Sequence, residues 1–388
     1  MIKVYLDWNC ITHTKDLFPE FIELLARYSH VFICPYGVAH LRDIQTKSGS
    51  NPTEYEKDLD LLTQICGEHM LLCSGDDMQL LNVKPRDYLS DSGDFLDILQ
   101  NQFPFPYGAM RTLFRTAFNP KDLQRIAIEN DPTKVFQLAN DTVVRTLGLD
   151  MGTLLGQANY FGKSTLEMRM RQDYYALDML GYKSEDKKKS FANIDTDAHH
   201  IYLAAFCDFL ISNDKKMRDK ANSIYSRYHC ATKVMDVQSF MNEMPHIVKN
   251  CYETELIYKA IQTNGIPRMD KDGAHYMALD YPLWGTFKFC YNASSLNNTQ
   301  PSNKAFFLPG QFMFYDELRP LATITSLLIP EPQRESYIED YIQSYRESKP
   351  MGNIAFTLTS PNYKYNCILT SYDNLPALQV TYENNQTQ

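Results

Sequence analysis

The chain has 388 residues, 44% of them hydrophobic and 22% charged, with a formal net charge of -9. That balance describes an ordinary globular protein, and its acidic excess excludes a globally basic nucleic-acid binder. Any phosphate contact must come from a local cluster of Lys and Arg, and the length predicts two domains or more, because it exceeds what one core usually organises.

The nine cysteines are odd in number and follow no recurring spacing, which predicts a reducing compartment and no structural disulfides. The start "MIKVYLDWN" reads as a strand and shows no charged-then-apolar leader. No apolar run approaches the roughly 20 residues of a membrane helix. The expected location is cytoplasmic, with no membrane partner.

In chain order, residues 2–6 form a short β-branched and aromatic run ended by Asp7, and residues 16–28 carry a helical stripe with Pro19 in its first turn. Residues 31–33 read as a second strand, and "GVAHLRDI" reads as a helix. Strand and helix in alternation predict a parallel sheet covered by helices. "TKSGSNPTE" is a loop by composition. From there to about residue 190 the pattern is mostly helical, with no strand alternation and no internal repeat.

The strand-helix rhythm resumes at Ile194, with residues 208–211 and "TKVMDVQSFM". The opening of the helix "DAHHIYLAAF" falls at Asp197. Beyond residue 240 the character changes: "ETELIYKAIQT" and "RESYIEDYIQSY" are helical, "NIAFTLTS" and "YKYNCILT" alternate as half-buried strands, and Asp272-Gly273 marks a turn. The resulting division is 1–48 with 191–240 as an α/β core, 49–190 as a mostly helical insertion, and 241–388 as a C-terminal α+β domain.

In a parallel α/β sheet, ligands bind beyond the carboxyl ends of the strands. Asp7 and Asp214 fall at such ends. Asp43 follows His40 by one turn on its helix, and Asp197 precedes His200 by three residues on another, so each pair shares a face. Four carboxylates at one rim repel, by about 4 kcal/mol for each pair 4 Å apart at an effective dielectric near 20. A divalent cation removes that penalty, and oxygen-rich sites favour Mg²⁺ or Mn²⁺. The chemistry expected there is metal-assisted phosphodiester hydrolysis. Taken singly, an Asp after a strand is more often a helix N-cap, and Asp195 competes with Asp197 for the third place.

Together, "VYLDWNCIT", "CPYGVAHLRDI", "DTDAHHIYLAAFCDFLISNDKKMRDKA" and "KVMDVQSFM" resemble the PIN-domain nucleases. The resemblance covers residues 1–48 and 191–240, less than half of the chain. It implies a PIN-like three-layer sandwich around a central parallel sheet, and a Mg²⁺- or Mn²⁺-dependent endoribonuclease acting on single-stranded RNA. Carried over residue by residue, the acids are Asp7, Asp43, Asp197 and Asp214, as catalytic groups and metal ligands. Asn9, Asp195, His200 and Asn213 support them. Lys215 and Lys216, with Arg42, are the expected substrate contacts. The second acid is Asp where the family more often has Glu, and the insertion is far longer than in a minimal PIN domain. A protein inhibitor or partner could dock on the insertion or the C-terminal domain.

Two rival readings stand beside this one. A non-catalytic PIN-like scaffold would bind RNA or protein through the same fold. A haloacid-dehalogenase-like phosphatase would also place an Asp after the first strand, but it needs a second acid two residues on, where this chain has Asn9. Weaker signals are set aside. "GQANYFGKST" has one residue too many for a P-loop, "MDKDGAH" lacks the later ligands of a calcium loop, and "DYLSDSGDFLD" reads as a solvated loop. Cys66, His69 and Cys73 want a fourth zinc ligand.

Overall fold

The computed structural model describes residues 1–29, 31–74, 77–89, 107–155, 165–185, 190–252, 257, 267–269, 275–284, 287–292, 304–309, 339–340, 342–344, 347, 349, 352–359, 362–372 and 375–384. "GQANYFGKST", the Asp272-Gly273 turn, "ETELIYKAIQT", "RESYIEDYIQSY" and most of "DYLSDSGDFLD" lie wholly or largely outside those residues. The chain divides into two compact units, one of residues 3–24 and 34–240, the other of residues 1–2, 25–33 and 241–388.

The first unit is mixed α/β. Its sheet holds β1 (Ile2–Leu6), β6 (Phe209–Ile211) and β7 (Lys233–Met235) in the order β1-β6-β7, and the short strand β2 (Phe32–Ile33) falls among the residues of the other unit. β1 and β6 run parallel, with Leu6 opposite Ile211, and β6 and β7 run parallel, with Ile211 opposite Met235. The three strands therefore end at one level, and their successors Asp7, Ser212 and Asp236 lie along one rim. β1 and β6 are buried along their whole length, which is why their sequences are largely unbroken apolar runs rather than alternating ones. Asp208 anchors the opposite end: its Oδ2 accepts from the Lys3 amide at 2.7 Å.

The helical stripe at residues 16–28 is two helices, α1 (Trp8–Leu17) and α2 (Pro19–Arg27). Pro19 has no N–H to give and so begins the second instead of continuing the first. β3 (Tyr36–Gly37) leads into α3 (Val38–Ser48), and α4 (Pro52–Cys66) follows. The expectation of a stretch without strands after residue 49 is corrected here. β4 (His69–Ser74) pairs in parallel with β3, and antiparallel with β5 (Asp77–Asn82). In sequence "HMLL" continues the preceding helical pattern. Gly67, at φ +60°, instead closes α4 two residues before β4.

Helices α5 (Tyr107–Thr116), α6 (Pro120–Ile128), α7 (Pro132–Leu147), α8 (Met151–Leu154) and α9 (Leu166–Leu180) fill out the insertion. α10 (Phe191–Ala204) then begins six residues earlier than expected, capped by Ser190, whose side chain accepts from the Asn193 amide. Asp197 consequently sits in the second turn rather than at the helix start. From Ala198 to Ala204 every residue of α10 is buried, so this segment is a core helix. α11 (Lys215–Tyr228) and α12 (Val237–Tyr252) follow β6 and β7. No helix among the described residues is long and apolar enough to cross a membrane.

The second unit holds a seven-stranded sheet in the order β12-β13-β14-β11-β10-β9-β8, antiparallel at every pairing. Its strands are β8 (Pro267–Met269), β9 (His275–Leu283), β10 (Phe287–Asn292), β11 (Lys304–Pro309), β12 (Ile354–Thr359), β13 (Tyr363–Tyr372) and β14 (Leu375–Asn384). One face carries a core that includes Trp284, Phe287, Phe307, Phe356, Tyr365, Leu369, Leu378 and Val380.

Candidate metal centre at the strand-end rim

Asp7 and Asp214 both follow a strand and precede a helix, yet their side chains do different work. The Asp7 amide donates to Ile211 O at 2.9 Å, extending the β1–β6 ladder by one bond. Asp7 holds the N-cap position of α1, but its side chain makes no capping bond. It turns into the rim, 2% exposed, and Oδ2 accepts from Ser212 Oγ at 3.1 Å. Asp214 caps α11: its Oδ1 accepts from the amides of Lys216 at 2.8 Å and Met217 at 3.2 Å. Those bonds satisfy two of the donors that a helix start leaves open.

α3 and α10 bring the next groups. His200 is fully buried, with Nε2 2.8 Å from Asp43 Oδ2 and Nδ1 2.9 Å from Tyr5 Oη. Tyr5 stands two residues before Asp7 on the chain and so points to the same side of the strand. Its hydroxyl also lies 3.3 Å from His40 Nδ1. His40 Nδ1 accepts from the Gly37 amide at 3.1 Å, so the ring proton is on Nε2, which donates to Leu6 O at 2.7 Å. Burial pushes the His40 imidazole down to about 3, and it is neutral.

Counting protons along this chain fixes the rest. The Gly37 amide takes the one lone pair of His40 Nδ1, so the Tyr5 hydroxyl is left to donate to His200 Nδ1, and His200 Nε2–H is directed at Asp43. Burial disfavours a charge on His200, but the Asp43 hydrogen bond and charge, with Asp7 and Asp197 beyond, raise its affinity for a proton. Asp43 is held below the ordinary carboxylate value: burial raises it, while His200 and Lys47 together outweigh burial. Asp7 is pushed up by burial and by the Asp43 charge, against the opposing pull of His200, Ser212 and Lys47.

One ligand atom from each of Asp7, Asp43 and His200 lies within 4.8 Å of the others, and among the described residues this is the one group of its kind. Asp197 and Asp214 are outside it. Asp197, half-buried, accepts from Tyr174 Oη at 3.4 Å. Asp195 faces away, in an ion-paired cluster with Arg42 at 3.4 Å and Arg171, and accepts from the Tyr175 hydroxyl. The two acids of "DTD" thus point to different sides of α10.

The remaining expected contacts are dispersed. Arg42 is buried, with its guanidinium on Asp195 and on His199 Nδ1 at 3.4 Å, so it is not open to a substrate. Asn9 is exposed and accepts from Lys47 Nζ at 2.9 Å. Asn213 Oδ1 accepts from the Val237 amide at 3.3 Å. Lys215 is exposed and Lys216 half-buried. Tyr5, Ser212 and His40 are not among the expected site residues. The signal for Tyr5 lies in the two-residue period that it shares with Asp7; for Ser212 nothing in sequence distinguishes it from its neighbours.

Two carboxylates and an imidazole suit a hard or borderline divalent ion. Ligand atoms about 2.1 Å from Mg²⁺ or Mn²⁺ stand at most about 4.2 Å apart across the ion, so the 4.8 Å spread needs only slight tightening. His200 is engaged through both ring nitrogens, to Asp43 and Tyr5. The fit is therefore best with Asp7 and Asp43 as the direct oxygen ligands and His200 fixing the orientation of Asp43, as outer-shell partners of metal ligands do.

No family model matches this chain, and neither a curated protein nor a solved structure matches it significantly.

Proposed function

We propose that the chain is a PIN-like, Mg²⁺- or Mn²⁺-dependent endoribonuclease that hydrolyses single-stranded RNA. The observation that carries this reading is the convergence of Asp7, Asp43 and His200, from three distant parts of the sequence, at the carboxyl end of a parallel sheet. A divalent ion at such a site would supply hydroxide at neutral pH and stabilise the leaving oxygen. Asp7 and Asp43 hold it, Ser212 fixes the rotamer of Asp7, and the His200–Tyr5–His40 relay fixes that of Asp43. Asp197 lies one helical turn before His200 and adds negative charge to the same rim. Lys215 and Lys216, at the start of α11 behind the same rim, would meet the phosphate backbone. The expected location is the cytoplasm.

The second reading is a non-catalytic PIN-like scaffold, and it is favoured by Asp214, whose carboxylate is committed to capping α11. Labelled single-stranded RNA incubated with the protein and Mn²⁺ separates the two. The nuclease reading expects cleavage that falls at least a hundredfold in an Asp7→Asn, Asp43→Asn double variant. RNA binding without cleavage in the unaltered chain favours the scaffold, and cleavage that survives the double variant removes the assigned site.

A further inference from the structure

The seven-stranded sheet has two edges that differ in kind. β8, at one edge, is three residues long and reads Pro267-Arg268-Met269. A short strand, a proline and a charge are the devices that protect an edge from pairing with another chain. β12, at the other edge, has none of them. It reads Ile-Ala-Phe-Thr-Leu-Thr from Ile354 to Thr359, with no charge and no proline, and it pairs with β13 at six successive positions without a shift of register. Among the described residues it has no other neighbouring strand.

From this we propose that β12 is a self-association edge, on which the β12 strand of a second copy of this chain docks antiparallel and joins the two sheets about a twofold axis. The choice of partner follows from the strand itself. Residues directly opposite in an antiparallel pair share a face, so any twofold register sets Phe356 and Leu358 against their like and Ala355, Thr357 and Thr359 against one another. No like charges meet in any such register. Phe356 is 8% exposed, and Leu358, packed against the core, is only partly buried, so a second β12 would extend the apolar underside past the point where it now ends. Ala355, Thr357 and Thr359 are exposed on the other face, except where Thr357 Oγ1 approaches Asn366. Six paired residues bury less than the roughly 1,600 Å² of a standard interface, so the association is sought at high protein concentration. This inference does not depend on the nuclease reading.

Sedimentation equilibrium on the full chain, run from micromolar to several hundred micromolar, reads the association directly. The mass is expected to climb from 45.0 kDa towards twice that value. Alternate amides of residues 354–359, those directed away from β13, are expected to exchange more slowly as concentration rises. Thr357→Lys weakens association at least tenfold with an unchanged melting temperature. An equimolar mixture of Thr357→Lys and Thr357→Glu chains associates again, whereas Thr381→Lys on the interior strand β14 has no effect. A chain that stays at 45.0 kDa throughout, or a dimer that forms without added protection at residues 354–359, overturns the proposal.

Discussion

Replacing Lys220 with Met tests how the α/β unit carries a buried charge cluster. Lys220, on α11, is fully buried, with Nζ 3.0 Å from Glu185 Oε1, 3.3 Å from Asp178 Oδ1 and 4.3 Å from the centroid of the Tyr174 ring. Asp178 also accepts from Arg111 at 2.9 Å, from Tyr107 Oη at 3.1 Å and from the Glu185 amide at 2.7 Å. Two cations therefore balance two carboxylates, and the Lys220→Met substitution would leave one carboxylate uncompensated. Breaking a buried pair by removing one partner costs about 3–5 kcal/mol. Because Arg111 and Tyr107 remain on Asp178, the lower end, about 3 kcal/mol, is expected, a shift on the order of a hundredfold in the folding equilibrium. Urea unfolding of this unit would read it as a lower midpoint at constant slope. Adding Glu185→Gln removes the stranded charge and should recover at least about 1 kcal/mol. The pH dependence has a definite sign. Burial raises the Asp178 carboxyl, but Lys220, the Glu185 amide and Arg111 outweigh it, so the folded value lies below the ordinary 3.8. Its contribution is present above that value and is lost as pH falls through the folded one, so the difference between variant and parent should shrink in strong acid. A Lys220→Met chain within about 0.5 kcal/mol of the parent at neutral pH would refute the reasoning.

Three further outcomes are expected. Asp7→Asn should stabilise the metal-free chain by on the order of 1 kcal/mol, by relieving repulsion from Asp43, while abolishing Mn²⁺ binding; a lower melting temperature would contradict this. Asp195→Asn, which strips a partner from Arg42 and Arg171, should cost about 2 kcal/mol and leave Mn²⁺ affinity unchanged. Asp197→Asn should do the opposite, and titration calorimetry beside thermal melts distinguishes them. Gly37→Ala would place a methyl 2.6 Å from Leu203 Cδ1 and 3.1 Å from Leu71 O. It should cost about 1–3 kcal/mol and, by moving α10 and the His200 that orients Asp43, weaken Mn²⁺ binding; equal stability and equal binding would count against that packing.

What can be read from sequence follows the range of the interactions involved. β1 and β6 are largely apolar runs, and their ends at Asp7 and Ser212 are local signals. β4 escapes a sequence reading because "HMLLCS" continues an apolar pattern whose period is ambiguous over so few residues; its strand character comes from pairing with β3, more than thirty residues away. The start of α10 is displaced because Asp195, Thr196 and Asp197 look like caps, whereas Ser190 is the cap that is used. At the rim, residue types are legible and side-chain directions are not. Asp7 and Asp214 both hold the N-cap position of the helix that follows a strand, and only the three-dimensional structure shows that one side chain caps its helix and the other does not. His200 moves from a supporting part to a central one because its ring is clamped between Tyr5 and Asp43, residues 195 and 157 positions away.

The charge at the rim constrains what can occupy it. Carboxylate oxygens of Asp7 and Asp43 that stand no more than 4.8 Å apart repel by about 3 kcal/mol or more at an effective dielectric near 20. The hydrogen bond from His200 steadies the charge on Asp43, which leaves Asp7 short of a positive partner in a place from which water is nearly excluded. A proton on Asp7 answers that deficit, and so does a divalent ion, and the two compete for the same oxygens. Because burial and Asp43 raise the Asp7 value above the ordinary 3.8, Mn²⁺ affinity should increase as pH rises through the raised value and then level off once Asp7 is ionised. Calorimetry in buffers of different ionisation enthalpy should detect protons released on binding on the acid side of that transition, with the release vanishing in Asp7→Asn. Mn²⁺ affinity that does not change between about pH 4 and pH 8 would mean that Asp7 is not a ligand, and the assignment of this rim as a metal centre would fail with it.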